Sequence, residues 1–432
     1  MDDQSHDDAA PEDWLAAALD AALKDVVETH FGQVPLAVAL NSIDPDIWFP
    51  ACLKFDTLSK EMVPHVTRDT RFAGTTRLFM YTENGGVPCY PDSAPRALFN
   101  RAHEVDDVHA AIEWYSRILK VKGATGRICE ALWGVTVSNE VRLTDTISIL
   151  PIRDLRNSAI KRFLMGVSRS IGDVLFRTPY ESELASSVLT IRSDVEKVLF
   201  TAEEAEKRQV NSDQYVGKCD ELADVARVLT LIGPRALVSA GIWYEFDDED
   251  LFGYTSQILS RSTRFVDILP ITGQRYPVLD ADAAKEVVPL FFGLDLQTQK
   301  KIRVALQRLN MAQRRHNLGD KAIDLSISLE SLLSTDSNEV KHRVTTRATR
   351  LLAGLETDRV RNRDVIGAMY DYRSKMVHQG ETPQRSKNIA GVPTTPAEIL
   401  TSAVNLCVDV ITSLLRAQKI PDWAMFDIQA NA

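Results

Sequence analysis

The stretch from Asp320 to Leu333 reads Asp-Lys-Ala-Ile-Asp-Leu-Ser-Ile-Ser-Leu-Glu-Ser-Leu-Leu. Ile323, Ile327 and Glu330 follow one another at steps of four and three, which places all three on one face of a helix. Such a face belongs in a core, where a carboxylate is costly unless it is paired and hydrogen-bonded. The same conflict recurs twice downstream. Arg347 lies three residues after Val344 and seven after Val340, and Arg373 lies four after Met369 and seven after Ile366. On consecutive helices, Glu330 and Arg347 are expected to form an ion pair that fixes helix docking, or also to shape an anion site.

Outward from this run the pattern is purely helical from about Asp280, the expected start of a domain spanning residues 281–420. Its helices are expected at Leu296 to Arg315, Asp320 to Leu333, Glu339 to Ala353, Val360 to His378 and Pro396 to Ala417. The last opens with a capping box, Thr395 to Glu398. Residues 421–432 read as a tail. Residues 1–280 mix helix and strand signals: a first amphipathic helix with Pro11 at its first position and apolar residues recurring from Leu15 to Val27, and a strand from Thr75 to Thr82 before a turn at Glu83 to Gly86. Helices follow at Val108 to Leu119, Arg153 to Met165 and Asp213 to Ile232, with strands near Leu237 to Phe246 and Phe265 to Ile271. Two runs rich in β-branched residues, Ala131 to Ser138 and Val141 to Leu150, flank Asn139-Glu140 and suggest a hairpin. The fold class is an α+β N-terminal region followed by an all-α helical bundle.

A net charge of -10 argues against a polyanion partner, but its distribution does not. Residues 1 to 30 hold nine acids against one lysine, whereas Thr298 to Lys387 holds 18 Lys and Arg against 10 Asp and Glu. The basic C-terminal segment suits RNA, and the acidic first helix is expected to lie against it and restrain it. Five scattered cysteines suggest reduced, packed thiols, with no disulfide framework and no zinc site. The run Asp247 to Asp250 reads as a solvated loop, and no phosphate-binding glycine motif is present. No metal or cofactor is expected. Without a run of roughly 18 apolar residues or a basic leader, the chain is expected in the cytoplasm and not in a membrane.

Three segments in order, Asp320 to Leu333, Val344 to Leu352 and Tyr370 to His378, resemble the HEPN superfamily and most closely its Apea-like branch. The resemblance covers about 140 residues, from near Asp280 to near Gln418. It implies a metal-independent endoribonuclease acting as a homodimer, with Arg373 and His378 as the catalytic R-x4-H pair and with Glu330 and Arg347 at its usual acidic and basic helix positions. It also implies a toxin or anti-phage effector; residues 1–280 lie outside the resemblance and are read from domain order alone as a sensor or restraint answering to a phage-derived or host trigger. Ser374 stands where well-studied nucleases often carry Asn, Asp or His, although serine is common in the Apea-like branch. On a straight helix a five-residue step turns about 140°, so sharing one site requires a distorted helix end or two copies of the segment. The alternatives are a catalytically silent module that binds RNA or a nucleotide, and a dimerising scaffold anchored by Arg373.

Overall fold

Side chains alternate along the strand Gly126–Trp133: Ile128 and Leu132 are buried on one face, and Cys129, Ala131 and Trp133 on the other. Burial on both faces makes this strand the middle of a sheet rather than an edge. The computed structural model describes residues 13–30, 32–42, 44–82, 85–165, 185–207, 213–233, 235–258, 278–334 and 339–429. The five-stranded antiparallel sheet runs in the order Val238–Phe246, Gly126–Trp133, Ser187–Arg192, Ile147–Pro151, Val141–Arg142. A smaller sheet joins Gly85–Tyr90, Leu78–Thr82 and Leu199–Thr201. Helices Pro45–Arg68, Ala94–Val105 and Val108–Ile118 gather around the first helix, Trp14–Leu23. The chain is mixed α+β, with its larger sheets in the N-terminal half and helices in the C-terminal part.

Several expectations for the N-terminal part change. Ala131 to Ser138 and Val141 to Leu150 do not pair with each other. Gly134, at φ +92°, turns the chain out of the sheet, and both neighbours of Gly126–Trp133 are distant in sequence. Val141–Arg142 instead pairs with Ile147–Pro151. The first helix stops at Leu23. Val26 and Val27 enter a strand facing Pro35 and Val34, where β-branched side chains are better accommodated. The helix expected over Arg153 to Met165 is only Ala159–Leu164, because Ser158 caps it by accepting from the Lys161 N–H at 3.2 Å. The expected strand Phe265 to Ile271, Pro11 and most of the N-terminal acids lie outside the described residues. The helix Asp213–Leu229 and the strand Val238–Phe246 form close to where the sequence placed them.

The C-terminal part is built round Leu318–Leu333, which packs against Leu296–Arg314, Val340–Leu352, Glu356–Gln379 and Pro396–Ala417. Ser326 and Ser328 are fully buried, and Ser328 Oγ donates to the Ala305 carbonyl at 2.9 Å. Such small side chains let neighbouring helices approach closely. The bundle is not purely helical: Lys387–Ile389 and Val392–Thr394 pair as a hairpin whose turn residues, Ala390 and Gly391, both have positive φ. The Thr395 to Glu398 capping box forms. Pro396–Ala417 is long and apolar enough to cross a membrane by length and composition, which a count of consecutive apolar residues missed; in this fold its Ile399, Cys407, Val410 and Leu414 stripe is buried in the bundle.

The helix Asp213–Leu229 joins the sheet to the bundle. Arg303 donates twice to its buried Asp224, at 2.8 and 2.7 Å, and Asn310 donates to Thr230 Oγ1 and to the Leu237 carbonyl. A β-carbon added at Gly134 would meet the Ala236 carbonyl oxygen at 1.7 Å. Gly134→Ala should therefore destabilise by about 3 kcal/mol or more, read as a lower urea midpoint, because it adds a backbone clash to an unfavourable φ.

Candidate functional site

The segment Tyr370 to His378 lies entirely within one uninterrupted helix, Glu356–Gln379. Gly380 ends it in the left-handed region at φ +68°, with its N–H donating to the Met376 carbonyl. The helix stays regular through His378, so Arg373 and His378 of one chain face directions about 140° apart. At the base of this helix end, Gly319 makes close approach possible: a β-carbon there would lie 2.6 to 2.9 Å from Met376 side-chain atoms.

Arg373 turns inward. Its Nη1 donates to Glu330 Oε1 at 2.7 Å, and the same oxygen accepts from the Tyr370 hydroxyl at 2.9 Å. Burial, followed by the Glu330 charge, pushes the Tyr370 phenol well above its ordinary range, so it remains a donor. Glu330 and Arg373 are 22% and 34% exposed, which leaves part of the guanidinium within reach of solvent. His378 and Ser374 are exposed, and the His378 imidazole makes no hydrogen bond or ion pair among the described residues.

Glu330 and Arg347 do not pair. Arg347 is buried and binds Asp427 through Nε and Nη2, the latter at 2.7 Å, while Nη1 donates to the Leu333 carbonyl at 2.6 Å. Its guanidinium carbon also lies 5.3 Å from the Trp423 ring centroid. Arg347 therefore anchors the helix Trp423–Ile428, within the stretch expected as a tail, and takes no part in the Arg373 cluster. Helical spacing places charges on faces but cannot assign partners, and the partner here lies 80 residues away.

The face bearing His378 also bears Asp371, one heptad earlier. Asp371 binds Lys341 at 2.8 Å and Lys387. Burial works to raise its pKa, and the two lysines more than offset this, holding it below the ordinary carboxylate range. A groove along this face is lined by Lys341, Arg363 and Lys387 together with Glu339, Asp364 and Asp371, so its charges balance. Many cations of the basic segment are engaged in such pairs, and two acids from outside the segment reduce its excess. Buried Asp324 binds Arg308 and Arg315, and Asp224 and Asp427 neutralise arginines from outside the counted segment.

The first helix does not cover the basic segment. Its main packing partners are Pro45–Arg68, Ala94–Val105 and Val108–Ile118, with Asp13 bound to Arg71. The acidic run 247–250 is not only a loop: Asp248 caps the helix Glu249–Thr255 and Asp250 binds Arg117. Among the described residues no three His, Cys, Asp or Glu side chains converge as a metal site, and none of the five cysteines forms a disulfide. No family model, curated protein or solved structure matches this chain.

Asp427 has a lowered pKa, first because of its hydrogen bond from Arg347. The stability it contributes is present above the ordinary Asp value near 3.9 and is lost as pH falls through the lower folded value. Asp427→Asn should cost about 1 kcal/mol at pH 7, a figure kept small because the carboxylate is partly solvated. In urea titrations its gap from wild type should close as pH falls below about 4.

Proposed function

We propose that the helical region, from Ala281 to Gln418, is a metal-independent endoribonuclease of HEPN type that acts as a homodimer. The chain as a whole is read as a cytoplasmic toxin or anti-phage effector whose remaining residues answer to a phage-derived or host trigger. The observation that carries this reading is the exposed, unengaged imidazole of His378 on a helix whose Arg373 is held in a defined place by Glu330 and Tyr370. A helix that remains regular through both residues directs them apart, so a second copy must complete the pair.

In this reading the 2′-hydroxyl of RNA is the nucleophile. One His378 takes its proton as the O2′–P bond forms, and the His378 of the second copy donates a proton to O5′ as the P–O5′ bond breaks. Arg373, through the guanidinium donors not engaged by Glu330, offsets the charge building on the phosphoryl oxygens. The products are a 2′,3′-cyclic phosphate and a 5′-hydroxyl. Glu330 and Tyr370 act as positioning residues, and Arg347 as a structural anchor. One observation favours a catalytically silent RNA-binding module instead: Glu330 already meets the Arg373 charge within the same chain.

Incubating the purified full chain with RNA in the presence of a chelator should yield cyclic-phosphate ends. His378→Ala should lower the rate by about 10²- to 10⁴-fold at unchanged dimer content. Induced expression should fragment cellular RNA in wild type and not in the variant. RNA that stays intact with wild type, yet is bound equally by wild type and His378→Ala, would transfer the assignment to the silent module.

A further inference from the structure

A second candidate site lies in the N-terminal region, far in sequence from Arg373. The helix Ala94–Val105 buries Leu98, Phe99 and Ala102 and turns Ala97, Asn100, Arg101 and Glu104 the other way, at the spacing of a single helical stripe. This stripe does not simply face water. Together with the strand Gly85–Tyr90 and the helices Val108–Ile118 and Glu249–Thr255 it encloses a cavity of about 230 Å³.

The walls of the cavity combine aromatic surface with unsatisfied polar capacity. Trp114 is 3% exposed and Tyr254 is 6% exposed, with ring centroids 6.3 Å apart. The Trp114 indole N–H donates to no group among the described residues, which leaves it open to an acceptor at the cavity wall. Its edge borders Gly253: a β-carbon added there would stand 3.9 Å from Nε1 and Cζ2, an ordinary contact, so the absent side chain leaves room beside that edge. The Arg101 guanidinium carbon lies 5.5 Å from the Trp114 ring centroid, its Nη1 bound to Glu104 at 2.9 Å. Arg96 is exposed at the rim and makes no ion pair among the described residues.

We infer that this cavity binds a small planar aromatic anion, its ring against Trp114 and Tyr254, a ring acceptor on the indole N–H, and its acidic group at Arg96 and Arg101. A flat π-face under a guanidinium, an orphan donor in the plane and a cation at the mouth are complementary to such a molecule. Nucleoside monophosphates and aromatic carboxylates share this chemistry. Occupancy of the cavity does not depend on RNA cleavage and is tested without it.

The full chain is titrated by calorimetry with adenosine monophosphate, guanosine monophosphate, indole-3-carboxylate and inorganic phosphate. Saturable binding of at least one aromatic probe is expected, with none of phosphate alone. The arm that saturates separates nucleotide from carboxylate. Trp114→Phe and Arg101→Gln should each weaken binding about tenfold. Gly253→Leu, which fills the cavity from a position where a β-carbon meets no clash, should abolish binding while the melting temperature is unchanged or raised. Failure of every aromatic probe to saturate at millimolar concentration, or wild-type binding by a folded Gly253→Leu chain, would overturn the inference.

Discussion

An α-helix turns its side chains by about 100° per residue, and nothing interrupts that turning between Glu356 and Gln379. From this one constraint the layout of the C-terminal part follows. Arg373 is turned toward Leu318–Leu333 and meets Glu330. Asp371, offset from it by two residues, is turned toward Val340–Leu352 and the hairpin, where Lys341 and Lys387 hold it. His378, a heptad beyond Asp371, inherits that second direction, is exposed, and makes no hydrogen bond or ion pair among the described residues. The helix thus separates a charge held in place from an imidazole left accessible, and the proposed pairing of two copies is one way to bring the two together.

The buried charges have a common role. Asp224, Asp324 and Arg347 are each almost wholly removed from water, and each has partners in another helix. A buried charge gains little net stability from its pair, but it strongly penalises any packing that leaves it unpaired. Asp324 fixes the register of two adjacent helices, Arg347 holds the Trp423–Ile428 helix against the bundle, and Asp224 fastens the bundle to Asp213–Leu229. The apolar stripes say that these helices must pack, and the charges say against which neighbour.

The sequence was readable where structure is local. Helical periodicity located five of the bundle helices to within a few residues but missed Ala281–Phe292, and the capping box formed at Thr395. Of the three charges singled out as facing inward, Arg347 is buried, whereas Glu330 and Arg373 are half-buried and the buried acid on the Glu330 helix is Asp324. It failed where the answer depended on distant partners. The β-branched runs around Asn139 reported burial correctly but not which strand lay alongside, because Ser187–Arg192 and Val238–Phe246 arrive from far down the chain. Arg347 was assigned to Glu330 because Asp427 sits in a short segment with little periodic signal; the Asp422 cap and the Trp423 and Phe426 pair were its only markers. Counting charge by segment overstated the basic character of the bundle for the same reason, since Arg303 and Arg347 are neutralised by acids outside the counted span.

The apolar core does not divide at the start of the bundle. One connected cluster runs from Leu222, Val225 and Leu229 beneath the sheet into Ile302, Leu306 and Leu309 and on through Leu325 and Val410. Unfolding of the bundle helices would therefore also expose apolar surface of the Asp213–Leu229 helix beneath the sheet. Cutting the chain near Asp280 and separating the parts would bring the side of Leu296–Arg314 that faces Asp213–Leu229 into contact with water.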